Sequence, residues 1–182
     1  MVRRTIVCTV ILGFALVGCA PATRLELTGN PKGNAGYLFK QMSYRDLPGG
    51  SIEMIGYGLI PFRNDRLDRD YNPRWPESGF ATFWLHGARE SDGRYGITML
   101  GPAKLLGPGD DEVLRASIDN VIVESSGTAR VINLKDLPTK SRNHPDMNLR
   151  LSGHLIARPV DPGEFDRQVK QYNYELDSRK IP

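Results

Sequence analysis

Short apolar segments whose hydrophobic residues recur at every second position follow one another from residue 37 to residue 158, and no helical period separates them. A period of two places alternate side chains on opposite faces of a strand, so each segment predicts a β-strand. The segments lie at 37–42, 51–60, 79–86, 94–100, 113–118, 121–124, 128–134 and 148–158. Strands at such short spacing predict a mostly β domain, an antiparallel sandwich or barrel of about eight strands.

Two of these segments also indicate their place in the sheet. The segment at 51–60 shifts its apolar residues from one face to the other and contains Gly56 and Gly58, which predicts a bulge or a bend. The segment at 79–86 is largely apolar on both faces, which predicts a central strand.

The spacing of the apolar residues changes near the C-terminus from that of a strand to that of a helix. Asp161 precedes Pro162, and Glu164 follows at the third helical position, an arrangement typical of a capped helix start. We therefore predict one C-terminal α-helix over residues 162–179. Its apolar residues share one face, which either packs on the sheet or binds a partner: Phe165, Val169, Tyr172 and Leu176.

The first residues have the order of a secretory signal. Arg3 and Arg4 precede an apolar run over residues 6–17, which is too short to cross a bilayer. The run ends in Leu-Val-Gly-Cys at 16–19. This segment resembles the signal peptide of bacterial lipoproteins, whose lipobox has this pattern. A plain secretory signal with a chance cysteine is the alternative, and the residues after the arginine pair do not fit a twin-arginine signal.

The lipoprotein resemblance implies a specific processing. Cys19 would receive a diacylglycerol thioether, the chain would be cut before it, and the new amino group would be acylated, as with palmitate. Several acyl chains give stable membrane attachment. By the same resemblance, Ala20 favours the outer membrane. The expected organisation is a signal peptide at 1–18, a lipidated N-terminus and tether at 19–36, and one β-rich domain at 37–182.

Cysteine content and charge limit the possible functions. Cys8 would leave with the signal and Cys19 would be lipidated, so the mature chain would have no free thiol for a disulfide, a nucleophile or a metal. Loss of Arg3 and Arg4 brings the net charge of the mature chain close to zero, which suggests neither nucleic acid nor an anionic membrane as a partner. We expect no cofactor and no metal.

The stretch from Pro61 to Ser78 is the best candidate for a binding site. It lacks strand character and is longer than most connections, and such loops are often functional. Tyr71, Arg74 and Trp75 in it belong to the residue types enriched at interface hot spots. The alternative is a loop whose tryptophan only closes the end of the sandwich.

Other chemistry is weakly indicated. Ser141, His144 and Asp146 are close in sequence but lack the motif of a serine hydrolase. No pair among the three histidines, which include His86 and His154, has metal-ligand spacing. One acidic loop begins like a calcium loop and then departs from that pattern: Asp68, Asp70 and Asn72.

We therefore expect a lipid-anchored protein of the cell envelope that is a binding or assembly module and not an enzyme. Its expected partners are the membrane, through the lipid, and another envelope protein. The alternatives are an envelope hydrolase, or a carbohydrate-binding protein that uses Tyr71, Trp75 and Trp84.

Overall fold

The computed structural model describes residues 22–29, 35–63, 66, 73, 77–101, 112–119, 121–142 and 145–178, and the structural statements below concern this part of the chain. It contains ten β-strands, a short 3-10 turn at Pro48–Gly50 and one α-helix. The strands are β1 Arg24–Thr28, β2 Ala35–Leu38, β3 Gln41–Asp46, β4 Ile52–Arg63, β5 Ser78–Arg89, β6 Tyr95–Gly101, β7 Glu112–Ile118, β8 Val123–Ser126, β9 Ala129–Ser141 and β10 Leu149–Pro159; the helix is α1 Pro162–Ser178.

Seven strands close into a barrel in the order β10-β3-β4-β5-β6-β7-β9, and β9 pairs back onto β10. The pair β10–β3 is parallel and short, joining Arg158 to Ser43 and Pro159 to Tyr44. All other pairs are antiparallel. Three further strands lie outside the ring: β1 and β2 extend from β10, and β8 pairs with β9.

The prediction of a mostly β domain with a C-terminal helix is confirmed, and of the two predicted architectures the structure is the barrel. The predicted number of about eight strands is wrong, because the segment expected as one strand at 37–42 forms two. The break lies at Phe39 and Lys40, between β2 and β3. In addition, β1 lies within the predicted tether at 19–36, where the alternation of Leu25 and Leu27 predicts a short strand at 24–28; this strand is confirmed and belongs to the sheet.

Inward-facing side chains fill the barrel. A barrel of this strand number is just wide enough for its own side chains. They form one continuous buried cluster: Leu25, Leu27, Tyr37, Phe39, Met42, Tyr44, Ile52, Met54, Phe83, Leu85, Tyr95, Ile97, Met99, Leu114, Ala116, Ile132, Leu134, Leu149, Leu151, Leu155 and Ala157. The described interior positions are thus occupied by the chain's own side chains.

Of the bulge or bend predicted in β4, the bulge is wrong. The pairing of β4 with β3 continues without a register shift through Gly56, and its pairing with β5 does so through both Gly56 and Gly58. Both glycines face neighbours that occupy the place of a side chain. A Cβ at Gly58 would lie 2.2 Å from Phe83 Cζ, and a Cβ at Gly56 would lie 1.9 Å from Met42 Sδ. The apparent change of face is thus a regular alternation in which glycine takes two inward positions.

The irregularity lies in another pair of strands. The register of β9 and β10 shifts between Leu151 and Gly153. Opposite this point Asp136 has a φ of 50° and its backbone N–H donates to Ser152 Oγ at 2.9 Å. The side-chain bond replaces a ladder bond that the bulge removes.

Helix α1 is confirmed at the predicted position. Asp161 Oδ1 accepts hydrogen bonds from the backbone N–H groups of Gly163 and Glu164, at 2.9 and 3.3 Å, which caps the first turn. The apolar face packs on the outside of the barrel in a second buried cluster: Ile55, Trp84, Leu100, Val113, Phe165 and Tyr172. Of the two alternatives for this face, the structure therefore gives packing on the sheet. The described residues contain no helix of the length and apolarity that a membrane span requires.

Candidate functional site

The β4–β5 hairpin carries the predicted binding loop at its tip. The two strands stay paired as far as Arg63 and Ser78, so the connection between them covers residues 64–77 and is shorter than the predicted 61–78. Tyr71, Arg74 and Trp75 lie outside the described residues and stay predictions. The same holds for those residues named for lipidation, calcium binding and hydrolysis that also lie outside the described part of the chain: Cys19, Asp68, Asp70, Asn72 and His144.

The stem of this hairpin exposes large apolar side chains beside the loop. Phe80 is 71% exposed and Leu59 is 37% exposed. The register Leu59 to Thr82 places Leu59 and Phe80 as diagonal neighbours on the outer face, within reach of each other. Towards the helix the same face continues with Tyr57 and Trp84, whose rings lie 5.3 Å apart.

Trp84 itself cannot serve as a sugar-binding platform. It is 7% exposed and belongs to the buried cluster beneath α1. A ring that stacks on a sugar must present a free face, so the carbohydrate-binding hypothesis loses one of its three aromatic residues.

The two described histidines have structural partners. His86 Nε2 lies 2.7 Å from Glu53 Oε1, and its ring lies 5.0 Å from that of Tyr172 on the helix. His154 Nε2 donates to the backbone carbonyl of Ala22 at 2.9 Å. Ser141 is the last residue of β9 and is buried, whereas Asp146 is exposed in the next turn.

A charged network joins the helix to the barrel around Glu53. Arg45 Nε donates to Glu53 Oε2 at 2.7 Å, and Arg45 also contacts Asp166 at 2.9 Å and lies 4.8 Å over the ring of Phe165. The hydrogen bond from His86 is the main cause that holds the pKa of Glu53 below its usual range; burial opposes it and Arg45 adds to the lowering. The carboxylate therefore stays charged while nearly buried, because two donors surround it.

A cleft of about 430 Å³ lies where the N-terminal segment enters the barrel. It opens because the edge of β10 has two neighbours, β1 along residues 150–154 and β3 at residues 158–159. Its walls combine apolar side chains with two cations: Ala22, Thr23, Phe39, Lys40, Gln41, Met42, Ser43, Ile156, Arg158, Pro159 and Val160.

A second cleft of about 350 Å³ lies at the end of the barrel that carries the short turns. Arg89 and Asp119 line it, and so does Tyr95, whose buried hydroxyl has no hydrogen-bond partner among the described residues. Burial raises the pKa of Tyr95, so this hydroxyl stays protonated. Since Asp119 is already paired with Arg94 at 2.7 Å, this cleft offers less free charge than the first.

No group of three or more metal-ligating side chains comes together among the described residues. Comparison of the chain with protein-family models, with curated proteins and with solved structures finds no match. The candidate surfaces therefore rest on geometry and chemistry alone.

Sequence reasoning missed the Glu53 network and the cleft. Glu53 lies between apolar residues in β4, and this break in an apolar run was the available signal for it. The cleft depends on the pairing of β10 with β3, more than a hundred residues apart, which leaves no local pattern.

Proposed function

We propose that this chain is a lipid-anchored protein of the cell envelope that binds a partner protein with the outer face and tip of its β4–β5 hairpin. The lipid on Cys19 holds the barrel at the membrane, with the outer membrane favoured by Ala20. The activity is non-enzymatic: the barrel serves as a rigid support for a binding surface.

The observation that carries the proposal is the exposure of Leu59 and Phe80 on the stem of the hairpin. Single exposed apolar residues are common, but here two are neighbours on one face and lead directly to the loop with Tyr71, Arg74 and Trp75. Aromatic and arginine side chains next to exposed apolar surface are typical of interface centres.

The filled interior also supports this proposal. Barrels that carry small ligands keep an internal cavity, whereas this one is packed with its own side chains. We therefore expect binding to take place on the outer surface of the barrel. A long hairpin that is supported by the sheet keeps such a surface in a constant orientation.

Chemical crosslinking in intact cells, followed by recovery of the protein from solubilised membranes, tests the proposal. Two variants remove the surface: the triple alanine variant of Tyr71, Arg74 and Trp75, and the double variant Leu59→Ser with Phe80→Ser. The matched control is Leu38→Ser with Ile122→Ser, which removes side chains of 60% and 76% exposure elsewhere.

We expect both hairpin variants to fold and to lose a crosslinked species that the wild type and the control retain. Unfolding of the triple variant would mean that Trp75 belongs to the core. Folded hairpin variants that keep every crosslinked species would place the binding surface elsewhere and contradict the proposal. The alternative, an envelope hydrolase or carbohydrate-binding protein, predicts instead that purified protein cleaves or retains cell-wall glycan.

A further inference from the structure

The backbone around the first cleft shows why the opening persists. Ile156 lies between the β10 residues paired with β1 and those paired with β3, so its backbone has no strand partner on that edge. Thr23 supplies the missing bonds: its hydroxyl accepts from Ile156 N–H at 2.8 Å and donates to the Ile156 carbonyl at 2.9 Å. A single buried side chain thus satisfies both backbone groups while the two strands stay apart.

The N-terminal segment is held at the wall of this cleft. His154 donates to the Ala22 carbonyl, and the backbone N–H of Phe39 donates to the Thr23 carbonyl at 3.2 Å. Ala22 is three positions after Cys19 in the sequence, and three residues of fully extended chain span at most about 11 Å. A lipid on Cys19 would bring the cleft to the level of the membrane headgroups.

The charge of the cleft has one sign. Lys40 and Arg158 line it and are exposed, and neither makes a salt bridge within the described part of the chain. Among the described residues that line the cleft, none is acidic. The amide of Gln41 adds a neutral hydrogen-bond donor, and Phe39 and Met42 add apolar walls.

These features define the chemistry of a ligand. Two cations at one opening, neither in a salt bridge with another described residue, favour a group with negative charge on several oxygens, and arginine matches such a group with two parallel donors. The apolar walls favour a ligand in which a hydrocarbon part adjoins that group. The volume lies within the usual range for small-ligand sites, about 300–1,000 Å³.

We propose that the cleft between β1 and β3 binds a phosphate group through Lys40 and Arg158, and that the phosphate is that of an anionic lipid headgroup. The lipid source rests on the proposed anchoring at Cys19; the phosphate site itself does not. Bound headgroups would orient the barrel on the membrane, with the cleft towards the lipid.

Isothermal titration of the full chain in neutral maltoside micelles tests the proposal. One arm uses dihexanoyl phosphatidylglycerol below its own micelle concentration, and the other uses inorganic phosphate. The variant Lys40→Gln with Arg158→Gln removes the two cations. The control Lys135→Gln with Lys140→Gln removes two exposed lysines of β9 that make no salt bridge within the described residues, so the change in net charge is the same.

We expect the wild type and the control to bind, and the cleft variant to bind at least about tenfold more weakly, since two charge-assisted contacts are lost. The charge-conserving variant Lys40→Arg with Arg158→Lys should retain most of the binding. A lipid affinity at least tenfold above that for inorganic phosphate identifies the headgroup as the source; equal affinities identify free phosphate and overturn the lipid assignment.

Absence of binding to the wild type in both arms would overturn the proposal, as would an equal loss in the control and the cleft variant. Because micelles replace the membrane, a failure of lipid anchoring or of partner binding at the hairpin would not alter the titration. The two proposals therefore fail separately.

Discussion

Glu53 of β4 and His86 of β5 lie 2.7 Å apart on the outer wall of the barrel, and the ring of His86 lies 5.0 Å from that of Tyr172 on helix α1. Glu53 is 8% exposed, and Arg45 completes its surroundings and extends to Asp166 on the helix. The network thus connects the helix to the barrel by charge as well as by apolar packing. Its contribution to stability depends on the carboxylate being charged.

Replacement Glu53→Gln should reduce the free energy of unfolding by about 2 kcal/mol at pH 7, because hydrogen bonds to a buried charge are lost. The pKa of Glu53 is lowered in the folded protein, so its stabilising effect is present above the unfolded pKa of about 4.3 and is lost as the pH falls through the folded value. The difference between wild type and variant should therefore shrink below about pH 4.

Urea denaturation at pH 7 and at pH 3 measures this difference. The matched control is Glu26→Gln, which removes only a pair with Arg24 on the surface and should change stability by less than about 0.5 kcal/mol. A Glu53→Gln penalty that is the same at both pH values would contradict the assignment of a charged Glu53.

Replacement Gly58→Ala should destabilise the barrel by about 2 kcal/mol, because the new methyl group would overlap the ring of Phe83 and the carbonyl oxygen of Leu38. Gly36→Ala is the control, since a Cβ there meets nothing within 4 Å. Thermal unfolding compares the two. Equal melting temperatures for wild type and Gly58→Ala would show that the interior is less tightly packed than described.

Replacement Phe165→Ala should cost about 3–5 kcal/mol, as for a fully buried ring. Phe165 is 1% exposed, packs on the barrel and lies under the guanidinium of Arg45. Tyr174→Ala, which removes a ring of 69% exposure from the same helix, should change stability by less than about 0.5 kcal/mol. Urea denaturation should separate the two variants; similar small effects would mean that the helix adds little to the stability of the barrel.

The features that sequence analysis predicts well are local. The start of α1 follows from Asp161, which caps the helix as expected, and the two-residue alternation places most strands within a few residues of their observed bounds. The wrongly predicted bulge at Gly56 and Gly58 shows the limit of this reasoning. A glycine in a strand indicates either a bulge or the close approach of another group, and only the position of Met42 and Phe83 decides between them.

Features that depend on distant residues are not predicted. Closure of the barrel needs the parallel contact of Arg158 with Ser43, and the Glu53–His86 pair needs two strands in a given register. The sequence shows which residue types are available for such contacts, but it does not show which residues pair with each other. The candidate site is split in the same way: Tyr71, Arg74 and Trp75 were identified by composition, whereas Leu59 and Phe80 were identified as exposed neighbours only in the structure.

Lipid attachment at Cys19 is the central claim, because both proposed surfaces act at a membrane. The most direct test is the intact mass of the N-terminal peptide together with membrane fractionation, for the wild type, Cys19→Ser and the control Cys8→Ser. We predict that the wild type and Cys8→Ser begin at Cys19, carry the mass of a diacylglyceryl group and acyl chains, and remain with the membrane. Cys19→Ser should be uncleaved or released. A wild-type N-terminus without lipid, or normal processing and unchanged fractionation of Cys19→Ser, would contradict the account.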